Sequence, residues 1–345
     1  MSDSSGQGSM NREDPTVEPP IVIRAKSPEP DGKAPADLSP AHHRPVAWED
    51  DISINALDEL PFENLPSPGK LPKEAFGDEL YQAVSELLET DSLDQWLDRD
   101  IFPIPSLQDR EGYYPERPGN WWLSGLRDYI QIMNTARRRR TKVRSYLDMG
   151  CSTGRLIRHF CAQGEVEAQG AVEEVWGSDI NERSIRWLQG YLPQNVKPFT
   201  SSTIPTLPIP DKSVDVVSAF SVFTHIDVFE SAWLAELARV IAARGFAFVT
   251  VHNEDTWIGL RDEIDNPDNR LVQSMIRLDP ETPDKLQKDM PNTRIIYRMT
   301  DLGPYRSQVF HSNAYIHRVW GRYFNVSRII PRNHAHQALV VLFAK

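Results

Sequence analysis

Two carboxylates and a pair of glycines point most directly to chemistry in this chain of 345 residues. The stretch from Ser145 to Arg155 reads S-Y-L-D-M-G-C-S-T-G-R. A short apolar run ends at Asp148, Gly150 and Gly154 follow with Cys151 between them, and a helical pattern then begins. Glycines there suit a sharp turn and let a ligand touch bare backbone. The D-x-G-x-x-x-G spacing differs from the G-x-G-x-x-G loop of dinucleotide enzymes. A pyrophosphate favours the amides of a helix N-terminus without a carboxylate beside them. Asp148 instead suits a ligand that carries positive charge. Cys151, inside the loop, reads as a small packed residue rather than a nucleophile.

A second acid supports a ligand site. Residues 173 to 179, E-E-V-W-G-S-D, read as the next strand, ending at Asp179 with Ile180 after it. The two acids are about thirty residues apart, the length of one βαβ unit. A carboxylate at that strand end accepts hydrogen bonds from both hydroxyls of a ribose. Either acid alone reads equally well as a helix N-cap. Two of them at successive strand ends, flanking a glycine loop, favour the ligand. The ammonium and sulfonium of S-adenosylmethionine supply the positive charge that Asp148 calls for.

Histidines form the other chemical group. His225 follows one strand, His252 ends the next, His311 precedes a late helix, and His334 and His336 lie in the last hairpin. In an open α/β sheet these points fall on the edge where ligands bind. Each one singly is also an ordinary structural histidine; their grouping on one edge carries more weight. A metal reading lacks an H-x-x-x-H helix pair or a cysteine set, so no metal is expected. Phe220 and Ser221, just after the strand that precedes His225, are expected to line the ligand.

These residues need a scaffold, and hydrophobic periodicity outlines it. Residues 195 to 226 read as strand, loop and strand. A helix follows from Trp233, then a strand to His252. Asn253 to Pro304 looks irregular and is expected to be a lid or substrate-facing insertion. A helix from Asn313 to Arg322 precedes strands at Val326–Ile330 and Ala338–Phe343, whose short connection implies an antiparallel pair. Upstream, Ala75 to Leu97 shows helical spacing and Gly112 to Asn120 is a loop. A helix from Trp121 ends in Arg137 to Arg140, where cations suit the dipole. Tyr113, Tyr114, Trp121 and Trp122 are candidates for an aromatic lid, with ordinary packing the competing role for one of the tryptophans. Residues 1 to 72 are rich in Pro, Ser, Asp and Glu and are expected to be a disordered tail, in which Val46 to Leu60 packs weakly. The expected organisation is thus a tail (1–72), a helical extension or lid (73–143) and a ligand-binding domain (144–345).

From Ser145 to Lys345 the chain resembles the class I S-adenosylmethionine-dependent methyltransferases. The approach to the fourth strand, P-D-K-S-V-D-V-V, carries part of the likeness. The runs S-V-F-T-H-I, Q-V-F-H-S, W-G-R-Y-F and H-Q-A-L-V-V-L resemble bacterial small-molecule methyltransferases of the type 11/12 kind. The resemblance implies an α/β, Rossmann-like, doubly wound seven-stranded sheet in the order 3-2-1-4-5-7-6, with the last strand antiparallel. It implies S-adenosyl-L-methionine as cofactor, bound by Asp148, Gly150, Cys151, Gly154, Asp179, Ile180, Phe220 and Ser221, with Thr153 and Arg155 near the methionine end. It implies in-line methyl transfer to a hydroxyl or amine of a small molecule such as a sugar or other metabolite. The loop after the fourth strand usually faces the methyl group in this fold. His225 is therefore the favoured general base, followed by His311 and His252, for an acceptor that must lose a proton. Three positions depart from the family. Ser201, Ser202 and Thr203 stand where many relatives carry an adenine-reading acid. Only Gly245 remains of a Pro-Gly-Gly turn, and Ala338 replaces an acid.

Composition narrows the alternatives. A formal net charge of −11 argues against a broad nucleic-acid footprint. Two cysteines do not make a disulfide framework. The chain has no apolar run of membrane-spanning length and no secretory pattern at its N-terminus, so a cytoplasmic enzyme acting on a small molecule is expected. A protein or RNA methyltransferase is the alternative among enzymes, though no N-P-P-Y signature is present. A non-catalytic scaffold has no need of the intact Asp148, Gly150, Gly154 and Asp179 set, and the glycine spacing disfavours a nicotinamide dehydrogenase.

Overall fold

The computed structural model describes residues 19–24, 61–89, 91–163, 172–298, 307–334 and 336–345. Strand β1 (Ile21–Arg24) comes first, followed by helices α1 (Asp78–Ser85), α2 (Leu93–Arg99) and α3 (Pro118–Arg139). The single helix expected over Ala75–Leu97 is therefore two. Ser92 and Gln95 form a reciprocal capping box that starts α2 afresh. The loop expected to reach Asn120 stops earlier, because Pro118 fits the first turn of α3, where its missing N–H costs nothing. Arg137, Arg138 and Arg139 occupy the last turn of α3, as expected.

Alternating strands and helices then wind the main sheet. Strands β2 (Ser145–Met149), β3 (Glu174–Asp179), β4 (Val196–Thr200), β5 (Val214–Ala219) and β6 (Ile241–Val251) are parallel, with helices α4 (Ile157–Gln163), α5 (Glu182–Tyr191) and α6 (Glu230–Val240) between them. After β6 come α7 (Glu254–Arg261), α8 (Arg270–Leu278), α9 (Thr282–Leu286), β7 (Arg294–Arg298), β8 (Gln308–His311) and α10 (Asn313–Val319). The hairpin β9 (Asn325–His334) and β10 (Gln337–Phe343) returns to the sheet. The order is β4-β3-β2-β5-β6-β10-β9, and β10 runs antiparallel to both neighbours. Counted within this sheet, that is 3-2-1-4-5-7-6, the order implied by the resemblance. All five residues of β2 are buried, because elements cover both faces of the sheet. Tyr146 joins the cluster on one face with Trp122, Phe160 and Trp187; Leu147 joins the other with Val217, Leu237 and Trp320.

Two expectations change. The stretch from Asn253 is not irregular. It folds α7 to α9 and β7 around an apolar centre that includes Trp257, Val272, Met275, Leu286 and Phe310. In α8 the apolar Val272 and Met275 recur at helical spacing, and Asn269 caps the start. The expected tail is also partly folded. The apolar run Ile21–Ile23 pairs in parallel with β7, which pairs on its other side with β8. Leu65 and Ile104 exchange backbone hydrogen bonds at 2.8 and 3.2 Å, and the Trp187 indole donates to Asn64 at 2.8 Å. Residues 61–72 thus belong to the fold, and a boundary at 72 is too late. The remainder of the expected tail, with Val46–Leu60, lies outside the described residues.

The helical extension is a layer of the core. Arg158 of α4, fully buried, donates to Asp100 at 2.6 and 2.9 Å and to the carbonyls of Phe102 and Pro103.

Candidate active site

A cleft of about 1890 Å³ opens along the edge where β2, β3, β5 and β6 end. The turn after β2 forms one wall. Gly150 and Gly154 have φ of 73° and 76°, and Ser152 has 45°, so the loop runs through left-handed backbone. The Gly150 and Cys151 amides both donate to the Ser178 carbonyl, at 2.7 and 3.0 Å. A Cβ on Gly150 would stand 2.4 Å from Val222, across the cleft wall. Gly154 departs from its expected role. A Cβ there would meet Leu188 at 2.6 Å, and the residue does not line the cleft. It serves the packing of the loop on α5. Cys151 lines the cleft and is buried.

Asp148 and Asp179 both line the cleft. A relay runs from the Tyr146 hydroxyl to Ser218 at 2.6 Å, and Ser218 donates to Asp148. Asp179 accepts from the Ser152 amide at 2.7 Å and the Asn181 amide at 2.8 Å, which ties the glycine loop to the end of β3. Burial raises the Asp148 carboxyl to about 7 against the opposing effects of Ser218 and Arg155. Burial, then the neighbouring Glu111, raises Asp179 to about 7. Ile180, Ser201, Ser202, Thr203, Phe220 and Ser221 line the same cleft. Ser221 is held by the Thr250 hydroxyl at 2.7 Å and by Gln337 at 2.9 Å. Ala338, one of the departures, is fully buried opposite Val251 in the sheet.

The histidines divide. His225 lines the cleft, and its Nδ1 lies 2.9 Å from the Ser307 carbonyl. His252 lines it too, almost fully buried, its ring between Phe310 and His336 at 5.1 Å from each. Burial pushes both imidazoles below the usual histidine range. His336 borders the cleft, while His334 closes β9. His311 does not join them. It is fully buried, with Nε2 2.8 Å from Glu230, and lies outside the cleft lining. Glu230 accepts hydrogen bonds from Arg294, Tyr315 and Trp320 at 2.6–2.8 Å. Burial alone would raise this carboxyl; His311 and Arg294 outweigh it and hold it at about 2. The cluster joins α6 to β7 and α10, so His311 is structural.

The loop ahead of α3 covers the glycine turn, and the sequence reading missed most of it. Thr153 donates to the Asp109 carbonyl at 2.8 Å, and Arg183 pairs with the Asp109 carboxylate at 2.6 Å. This brings Arg110 and Glu111 to the cleft beside Tyr113, Tyr114 and Trp121. Trp122 is excluded; it is buried and donates to Asp100 at 2.7 Å. Arg155 lines the cleft, pairs with Asp128 at 2.7 Å and lies over the Phe220 ring. Among the described residues no cluster of three or more His, Cys, Asp or Glu is arranged for a metal, and no helix is long and apolar enough to cross a membrane.

A doubly wound sheet with buried acids ending its first two strands defines a Rossmann-like cofactor-binding domain. Residues 147–249 match the family model described as a methyltransferase domain. Residues 147–249 therefore carry a methyltransferase domain, of the Rossmann-like kind whose methyl donor is S-adenosylmethionine. Among solved structures the chain is similar to a SAM-dependent methyltransferase from Methanosarcina mazei (15% identity, 59% of this chain and 93% of that chain, TM-score 0.39). It is also similar to the magnesium protoporphyrin IX methyltransferase of Synechocystis PCC 6803 with bound SAH (16% identity, 66% and 87%, TM-score 0.41). The PH0226 protein of Pyrococcus horikoshii OT3 is a third (18% identity, 64% and 91%, TM-score 0.41). Comparison with curated proteins gives no match.

Proposed function

We propose that this methyltransferase acts on a hydroxyl or amine of a small polar molecule, a sugar or another metabolite, with His225 as general base for a hydroxyl. The observation that carries the base assignment is the Nδ1 contact of His225 with a backbone carbonyl. A carbonyl only accepts, so Nδ1 carries the proton and Nε2 keeps its lone pair. Burial keeps the ring neutral at physiological pH. Space supports a small acceptor: single-ligand pockets measure roughly 300–1,000 Å³, so a cleft of about 1890 Å³ admits cofactor and acceptor together.

The residues present fit the cofactor. Asp179 would accept from the ribose hydroxyls, with Ile180 and Ser201–Thr203 beside the base. Asp148, Gly150 and Cys151 would face the methionine end, with Phe220 and Ser221 alongside. Bound there, S-adenosylmethionine supplies a methyl group activated on a sulfonium. The chain orients the acceptor for in-line attack and takes up its proton at Nε2 of His225. Incubation with methyl-labelled cofactor and separated metabolite, protein and RNA fractions tests the acceptor class. Label in the metabolite fraction is expected; label confined to protein or RNA overturns it.

Asp179→Ala should weaken S-adenosylhomocysteine binding about tenfold to a hundredfold, since a charge-assisted hydrogen bond contributes about 1.5–3 kcal/mol. Calorimetry on folded mutant decides; unchanged affinity removes the ribose role. The pH dependence follows from the same carboxyls. Hydroxyl donors and a positive ligand favour the ionised forms of Asp179 and Asp148, which in the free protein titrate at about 7. Binding therefore releases protons, and S-adenosylmethionine affinity should rise from pH 6 to pH 8. A flat profile over that range contradicts both placements.

A further inference from the structure

Arg110 carries a charge that nothing in the described protein balances. The residue is 2% exposed and lines the cleft. Nε makes a long contact, 3.4 Å, to the Ser106 carbonyl, and Nη1 has no hydrogen-bond partner. The other buried guanidiniums behave differently: Arg158, Arg183 and Arg294 each pair with a carboxylate at 2.6–2.7 Å. Among the described residues no ion pair involves Arg110, and burial alone pulls its pKa down. A guanidinium stays protonated in proteins, so burying one without an opposite charge is costly. The arrangement is that of an anion-binding group whose anion comes with a ligand.

The flanking contacts say which part of the ligand that is. The Asp109 carbonyl takes the Thr153 hydroxyl, and the Ser152 side chain offsets part of the rise that burial gives the Glu111 carboxyl. Arg110 is therefore held next to Ser152 and Thr153 of the glycine loop. On the reading given above, that end of the cleft receives the methionine portion of the cofactor. S-adenosylmethionine has a single anionic group, its α-carboxylate, and it belongs to that portion. We propose that Arg110 binds this carboxylate, so that the N-terminal extension completes the cofactor site. A guanidinium matches a carboxylate with two parallel N–H···O bonds. The inference rests on the placement of the methionine end stated under the proposed function.

The test compares two ligands on the wild type, Arg110→Met and Arg110→Lys. S-adenosylhomocysteine has the carboxylate; 5′-methylthioadenosine keeps the nucleoside and thioether but lacks the amino-acid part. Arg110→Met should bind S-adenosylhomocysteine about tenfold to a hundredfold more weakly and 5′-methylthioadenosine as the wild type does. Its ligand-free thermal midpoint should equal or exceed the wild-type value, because an unpaired buried charge has gone. Arg110→Lys should recover part of the lost affinity. An equal loss for both ligands, or unchanged S-adenosylhomocysteine affinity, overturns the assignment. Failure of the wild type to bind S-adenosylhomocysteine at all would instead overturn the cofactor reading on which it rests.

Discussion

His225→Ala is expected to lower turnover on a hydroxyl acceptor by about 10²–10⁴-fold, the usual contribution of a general base, with cofactor affinity nearly unchanged. His225 lines the cleft, and its tautomer is set by the Ser307 carbonyl. It lies apart from Asp179 and Asp148 in role, so its loss should spare S-adenosylhomocysteine binding. Because burial lowers its pKa, the imidazole is already a free base below the ordinary histidine range. The wild-type rate should therefore rise with pH on the acid side and level off below about pH 6.5. The mutant should lose that limb. A residue that only packs would lower stability and leave the rate per folded molecule alone. Thermal midpoint, cofactor affinity and turnover on one preparation separate the two roles. Normal turnover removes His225 and passes the question to His252, whose buried Nδ1 has no partner among the described residues.

The second large effect concerns stability. Asp100→Ala should destabilise the protein by about 3–5 kcal/mol, the cost of leaving one member of a buried pair uncompensated. At about 2–4 °C per kcal/mol for a domain of this size, the thermal midpoint should fall roughly 6–20 °C. Both side chains of the Asp100–Arg158 pair are fully buried, and the mutation also removes the acceptor of the Trp122 indole. A useful contrast is Arg137–Glu89, 2.8 Å apart but exposed at 42% and 66%. Breaking that pair should cost at most about 1 kcal/mol. Equal midpoints for the two mutants would show that the extension is not held by the buried pair. Burial would raise the Asp100 carboxyl, but Arg158 outweighs it and holds the pKa below the usual value. The pair's contribution is therefore present above the unfolded carboxylate pKa and lost as pH falls through the folded one. The loop that carries Arg110 follows Asp100 directly, so the same mutation should also weaken cofactor binding.

The sheet and the ends of its strands follow from local patterning. Apolar runs separated by helical segments are local signals, and parallel connections of that length leave few topologies. Once β2, β3, β5 and β6 are parallel neighbours, Asp148, Asp179, Phe220, Ser221, His225 and His252 must arrive at one edge. Their meeting was legible because it follows from strand direction alone. The comparable inference failed for His311. β8 belongs to the smaller sheet, and the ring is taken up by Glu230, 81 positions earlier. Gly154 looked like a ligand-facing glycine, yet what lies above it is Leu188 of α5. Trp122 and Trp121 are adjacent and equally aromatic, but only Trp121 reaches the cleft, because Asp100 claims the neighbouring indole. β1 is a largely β-branched run of four residues, too short to hold alone, that becomes a strand against the edge of β7. Arg110 carried no sequence signal: an arginine is ordinarily exposed or paired, and only burial without a partner marks it. Tertiary structure alone decided these cases, because the direction a side chain takes depends on contacts with elements far away in the chain, which no local pattern records.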